Sequence, residues 1–219
     1  MSSRQRSVGL LLRVTISGIA LAVWFWTQFL LGARAPHSAG IGDALQNLFA
    51  GPNWYFAHAP VAANALLIVS SALIDALGLF LIGKWIFAGS VRPFLGLVVL
   101  LGMRQTMQAL CALPTPPNMI WHYPGFPSLL VTYNVGNDFF FSGHTAIAVF
   151  GATELVRLGK PWLTWVAIAA ALFEIVTVLI LRAHYTMDVF AGAVAALWVA
   201  SLSESIAPWM DRFLGGDKQ

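Results

Sequence analysis

Along most of the chain, apolar residues run on without interruption, and polar ones gather in the stretches between. Six apolar runs approach the roughly 20 residues a helix needs to cross a hydrocarbon core. They are Gly9–Leu31, Ala62–Phe87, Pro93–Leu113, Phe139–Val156, Trp162–Leu181 and Met187–Trp209. These runs lack the period-two alternation of outer-membrane strands, so helices are predicted. The expected fold class is all-α: a polytopic membrane protein with six transmembrane helices. No repeat, low-complexity tract or linker divides the chain, so 1–219 is expected to be a single integral membrane domain.

Composition strengthens the membrane reading. Of the 219 residues, 58% are hydrophobic and 10% charged, against about 25% charged in soluble domains. A soluble protein this apolar would leave large greasy patches in water. Arg4 and Arg6 precede the first run, as in a signal peptide. That run is too long, however, carries Trp24 and Trp26, and lacks a small-residue cleavage site, so a retained helix is expected. The single cysteine, Cys111, excludes an intrachain disulfide. A scattered net charge of +3 argues against nucleic-acid binding and suits cytoplasmic anchoring.

Orientation follows from where the basic residues fall. With the N-terminus inside, Arg4, Arg6, Lys84, Arg92, Arg157, Lys160, Arg212 and Lys218 lie at inner ends and loops. Arg34 and Arg182 fall outside, and Arg104 lies within the third run. Both termini are therefore expected in the cytoplasm. Short loops and a compact chain lean toward a bacterial inner membrane.

The two long connections then lie on the outer side. The first contains "IGDALQNLFAGPNWYF", in which Ile41, Leu45, Leu48 and Phe49 share a helical face. An interfacial helix ended by Gly51-Pro52 is predicted, with Trp54 and Tyr55 in the headgroup layer. The second, Pro114–Asp138, is rich in Pro and Gly and has no Lys or Arg, so it is not one continuous helix. His37, His58, His122, His144 and His184 all fall at or near this outer face. A site on the outer face is the natural expectation, since loops on a rigid scaffold often carry function.

Two motifs mark consecutive outer-side helix starts, those of the fourth and sixth predicted helices: "SGHT" at Ser142–Thr145 and "HYTMD" at His184–Asp188. Were the second turn helical, His184 and Asp188 would stack on one face, and the carboxylate would accept from an imidazole nitrogen. Such a carboxylate fixes the tautomer and steadies the imidazolium, leaving the other nitrogen to attack. In the first motif Ser142 suits an N-cap, and Gly143 lets a ligand approach the backbone. Free amides at a helix N-terminus favour an anion, and His144 sits beside them. Two imidazoles, a carboxylate and an anion-friendly helix end suit phosphoryl transfer: one histidine attacks phosphorus, the other protonates the departing oxygen. The His–Asp spacing also suits a metal ion, although no obvious third ligand cluster accompanies it.

"NDFFFSGHT" followed by "HYTMDV" resembles the sphingomyelin synthase branch of the type-2 phosphatidic acid phosphatase superfamily of lipid phosphatases and phosphotransferases. The patterns D-x3-S-G-H-T and H-Y-T-x-D-V match fully, through Asp138, Ser142, Gly143, His144 and Thr145, then His184, Tyr185, Thr186, Asp188 and Val189. A third stretch agrees: eight residues separate Arg104 from Leu113-Pro114-Thr115-Pro116. The chain is similar in the same places to plant phosphatidylcholine–diacylglycerol cholinephosphotransferase. The resemblance implies a triad in which His184 is the nucleophile, Asp188 its orienter and His144 the acid–base. Substrate contacts are expected from Arg104, Asp138, Ser142, Gly143 and Tyr185. It implies no metal or organic cofactor. The implied partners are a phospholipid donor and a lipid alcohol acceptor of ceramide or diacylglycerol type, or water where a lipid phosphate is hydrolysed.

The chain departs from these patterns in places. "GND" stands where sphingomyelin synthases have Cys-Gly-Asp. The phosphatase motif Lys-x6-Arg-Pro is also missed, since seven residues separate Lys84 from Arg92, and both are expected on the inner face. A transferase is therefore expected ahead of a hydrolase. A transporter or scaffold would have no need of the two motifs. Arg104 is open to two readings: a phosphate or carboxylate contact from within the bundle, or an ion pair with Asp75 or Glu174. Those two acids alone read as internal hydrogen-bonding groups.

Overall fold

A computed structural model of the chain describes Trp26 and residues 41–88, 90–111, 113–133 and 139–213. The described residues from Asp43 onward belong to one compact unit. The first predicted span lies outside the described residues apart from Trp26.

Seven helices are described: α1 (Ala44–Leu48), α2 (Ala50–His58), α3 (Pro60–Ala88), α4 (Arg92–Leu110), α5 (Gly143–Val156), α6 (Pro161–Ile180) and α7 (Thr186–Phe213). The class is all-α, as expected. Helices α3 to α7 follow five of the six apolar runs. Among the described residues, three stretches, Pro60–Phe87, Pro161–Ile180 and Thr186–Phe213, are long and apolar enough to cross a membrane.

Boundaries differ where local chemistry overrides hydrophobicity. The run from Phe139 does not become helical until Gly143, because Ser142 caps α5 with its side chain. That leaves 14 helical residues, or about 21 Å of rise, short of a hydrocarbon core of about 30 Å. In the first connection, Gly51 and Pro52 do not end a helix but sit in the first turn of α2. Proline is tolerated there because that turn's N–H groups have no partner within the helix.

Helix α5 is the hub and packs against α3, α4, α6 and α7. Small residues set the spacing. A Cβ on Gly96 of α4 would fall 2.1 Å from Phe150, whose ring is fully buried against it. Gly151 meets Leu77 of α3 in the same way, at 3.0 Å. Close approach through glycine is what helices without a hydrophobic drive between them rely on.

Charges gather at the end of the bundle farthest from the α5 N-terminus. Arg92 at the start of α4 reaches the buried Glu154 of α5 at 2.7 Å. Arg157 donates to both carboxylate oxygens of Glu204 on α7, at 2.9 and 2.5 Å. Asp211 of α7 accepts from the Val91 N–H at 2.8 Å. Arg92 thus serves a structural ion pair across α4 and α5.

Candidate functional site

The opposite end is built around Ser142. Its hydroxyl accepts from the Thr145 N–H at 3.3 Å and caps α5. Its own N–H donates to the carbonyl of Asp188 at 3.0 Å. That backbone bond joins the two sequence motifs directly. Gly192, one turn into α7, makes the crossing possible, since a Cβ there would meet the Ser142 carbonyl oxygen at 2.7 Å.

His184 and Asp188 come together by a route other than helical stacking. Helix α7 begins only at Thr186, so His184 lies in the preceding turn. Arg182 starts that turn with a φ of +52°, an uncommon conformation that reverses the chain after α6. Asp188, three residues past Tyr185, turns its carboxylate back and accepts from the Tyr185 N–H at 2.9 Å, half of a capping box. This places Oδ2 at 3.7 Å from Nδ1 of His184, an ion-pair distance longer than a hydrogen bond. Catalytic hydrogen bonds are often long before substrate tightens them.

His144 occupies the first turn of α5, with the edge of its ring against Trp121 at a centroid distance of 5.0 Å. His144 Nε2, His184 Nδ1 and Asp188 Oδ1 are all buried without a hydrogen-bond partner. Such atoms are uncommon in folded proteins and mark places where a ligand can complete the set.

Arg104 projects from α4 to the N-terminus of α5, where its Nε donates to the Phe141 carbonyl at 3.1 Å. Gly143 makes room for it, as a Cβ there would lie 2.9 Å from Nε. Among the described residues, the two suggested acids are engaged elsewhere. Both oxygens of Asp75 are engaged by Ser128, Leu129 and Leu130 at 2.9–3.0 Å. Glu174 accepts from the Ser70 hydroxyl at 2.7 Å. Asp75 and Glu174 are thus hydrogen-bonding groups inside the bundle, as expected. Asp75 fastens the loop whose next residues, Leu130 to Thr132, wall the site.

Arg104, Gly143, His144 and His184 line one cavity, with Trp121 and Phe139 among its apolar walls. It is small, about 50 Å³, room for a few waters at about 10–15 Å³ each. Ser142, Tyr185 and Asp188 are buried behind its wall and act there through backbone and capping bonds. Asp138 lies outside the described residues, as does His37. The remaining histidines stand apart: His58 bonds the Trp54 carbonyl and His122 bonds Asn64, both exposed. Among the described residues no three His, Cys, Asp or Glu side chains converge as a metal set.

Sequence reasoning missed the outer supports. The buried Asn53 of α2 donates to the carbonyls of Asn118 and Ile180, at 3.3 and 2.9 Å. Arg182 donates to Pro117 and Gln46 carbonyls, at 3.0 and 3.1 Å. Asp43 and Gln46 hold the His184 turn itself. Only the polar positions on an otherwise amphipathic segment hinted at these roles.

The site therefore consists of two imidazoles, a carboxylate and a guanidinium at one helix start, walled by apolar side chains. The AtPDCT1/2 family matches residues 49–205, which include both motifs and Arg104. The chain belongs to the AtPDCT1/2 family. With it comes membership of the type-2 phosphatidic acid phosphatase superfamily expected from the motifs. Phosphatidylcholine:diacylglycerol cholinephosphotransferase 1 of Arabidopsis thaliana is 22% identical over 160 residues, 73% of this chain and 52% of the plant protein. The chain thus spans about half the length of that relative. The fold is similar to the crystal structure of Aquifex aeolicus LpxE, with a TM-score of 0.50 and 22% identity over 65% of this chain and 85% of that one.

Proposed function

We propose that the protein is a membrane lipid phosphotransferase that moves a phospho-headgroup from a phospholipid to a lipid alcohol. The observation that carries this reading is the backbone bond from Ser142 to Asp188, which joins the two histidine motifs beside a cavity that Arg104 also lines. The name of the plant relative adds a phosphatidylcholine donor and a diacylglycerol acceptor as the first substrates to try.

In the mechanism, Asp188 faces Nδ1 of His184, so Nε2 attacks the phosphorus. The P–O bond to the lipid breaks, His144 gives that oxygen its proton, and a lipid alcohol leaves. His144 then takes the proton of the acceptor hydroxyl, which attacks phosphorus and releases His184. Arg104 and the α5 amides hold the non-bridging oxygens throughout. Among the described residues lining the cavity, Arg104 is the one Lys or Arg. A single guanidinium suits a diester with one negative charge better than a monoester with close to two. The apolar walls keep water from the phosphohistidine. A cavity of about 50 Å³ is too small for a headgroup, so Trp121 and the Leu130 loop must part to admit one.

The same reading places the chain in the membrane as one catalytic domain with six spans, both termini cytoplasmic and the site extracytoplasmic. Because α5 is short, the site sits below the outer surface, within reach of lipids arriving sideways. The test is purified protein in liposomes with headgroup-labelled phospholipid, with and without diacylglycerol or ceramide. Label is expected in a new lipid, only with acceptor, and not with His184→Ala. Rapid release of soluble label regardless of acceptor would replace this reading with a hydrolase.

A further inference from the structure

His184 sits in a turn, not a helix, so something outside that turn must hold it in place. The residues that do so come from the short helix α1, more than a hundred positions earlier in the chain. The Asp43 carboxylate caps α1, accepting from the Leu45 and Gln46 N–H groups at 3.0 and 3.1 Å. The same carboxylate accepts from the Thr186 N–H and from the Thr186 hydroxyl, both at 2.6 Å. Thr186 is the first residue of α7, two positions after His184. Gln46, itself buried, donates from its side chain to the His184 carbonyl at 3.3 Å. Arg182, two positions before His184, donates back to the Gln46 carbonyl at 3.1 Å.

Residues 182, 184 and 186 are thus each tied to Asp43 or Gln46. A carboxylate that serves two helix starts at once fixes the distance between them, because its two oxygens are rigidly linked. It also adds negative charge at the positive end of a 28-residue helix. Both residues lie ahead of the family match, which begins at residue 49.

We propose that Asp43 is a positioning residue for His184: its carboxylate, bridging the α1 start to Thr186, sets the imidazole against Asp188 and toward the cavity. The proposal rests on His184 being the nucleophile of the transfer reaction. Loss of the bridge leaves the fold in place and lets the turn wander, and displacement of a reacting group by about 1 Å costs on the order of 10²-fold in rate.

The test uses the full chain in lipid nanodiscs and two readouts. Hydrogen exchange of peptides covering 182–190 reports the turn without reference to activity. Turnover with labelled phosphatidylcholine and diacylglycerol reports the chemistry as kcat and KM. In Asp43→Ala, exchange across 182–188 should quicken by about tenfold or more while the α3 peptides stay unchanged. Its kcat should fall by about 10- to 100-fold, with KM within about threefold of wild type. Thr186→Val keeps the N–H bond and loses the hydroxyl bond, so it should lower kcat by a smaller factor, and Thr186→Ser should restore it. The Asp43→Ala/Thr186→Val double variant should be no worse than Asp43→Ala alone, because that change already removes the hydroxyl bond.

Wild-type kcat in a folded Asp43→Ala protein, a change in KM alone, or additive losses would overturn the proposal. Should Asp43→Ala fail to fold, the Thr186→Val and Thr186→Ser pair decides by the hydroxyl alone. A wild-type protein that neither transfers nor hydrolyses any headgroup would sink the transferase reading instead. The exchange comparison would then still decide whether Asp43 holds the turn.

Discussion

Arg92 and Glu154 meet at 2.7 Å at one end of the bundle, and Arg157 joins Glu204 beside them. At the other end, His144, His184 and Asp188 each keep a buried polar atom with no hydrogen bond. Both ends draw ionisable side chains from α4, α5 and the α7 region, Arg and Glu at the first and His, Asp and Arg at the second. What differs is pairing. Ion pairs at the first end hold helices together, although Glu154 Oε1 there is also buried without a hydrogen bond. Unanswered atoms at the second raise the energy of the resting protein, and they make sense where a substrate supplies the missing partner. The contrast predicts opposite outcomes for substitutions at the two ends: lost chemistry with intact stability at one, lost stability with intact chemistry at the other.

The largest effect is expected from His184→Ala, which should lower turnover on the order of 10⁴-fold or more. Its melting temperature should stay level or rise, because Nδ1 makes no hydrogen bond that would be lost. A well-folded His184→Ala protein with near-normal turnover would end the comparison. His144→Ala should cost about 10²–10⁴ in rate, as acid–base groups do. Asp188→Asn keeps an oxygen for the Tyr185 N–H but loses the charge beside the imidazole, and a loss in the same range is expected. Transfer assays and melting curves on the same preparations read both halves of each prediction.

Gly143→Ala tests the cavity's geometry. Its new methyl would meet Arg104 Nε at 2.9 Å, so the guanidinium must shift. A loss of about tenfold in kcat/KM with little change in melting is expected, a fraction of the roughly 10²-fold attached to a 1 Å misplacement. Unchanged kinetics would remove Arg104 from the site.

Glu154→Ala is the converse case at the far end. It strips a partly buried Arg92 of its partner, and a loss of up to about 3 kcal/mol is expected, the low end for broken buried pairs. Turnover per folded molecule should be unaffected. A fall in kcat without a fall in stability would show that the two ends are coupled.

The smallest effect concerns pH. Burial by itself raises the Asp43 carboxyl, but hydrogen bonds from Thr186, Gln46 and Leu45 outweigh it and hold the group below its ordinary 3.8. A depressed folded value means stability that is fully present above the unfolded value and lost as pH falls through the folded one. The melting difference between wild type and Asp43→Asn should therefore be full at pH 6 and shrink below pH 3.8. A difference that stayed constant to pH 3 would mean the carboxylate's charge contributes nothing.

Much of this molecule is written in short-range patterns. Apolar runs place α3 to α7 because burial of side chains, in lipid or in protein, needs only the right residues in sequence. The chemistry of His144, His184 and Asp188 is legible because each motif sits at the end of an apolar run, where a polar group has a reason to be. Tertiary structure decided what depends on distant partners. The start of α5 at Gly143 follows from the cap and cross-bond of Ser142, although Phe139–Phe141 are as apolar as the helix itself. Arg104 reaches the Phe141 carbonyl across 37 positions, while Asp75 is engaged by a loop some fifty residues away. Asp43 bridges to Thr186 across 143 positions. Such bonds are worth little in the open chain, where water makes them equally well, and become specific only when packing brings the ends together. Hydrophobic period and motif spacing are properties of neighbours, so the sequence by itself determined the helices and the motifs that carry the proposed reacting groups. The orientation of those groups rests on polar contacts between segments far apart, and that belongs to the folded molecule.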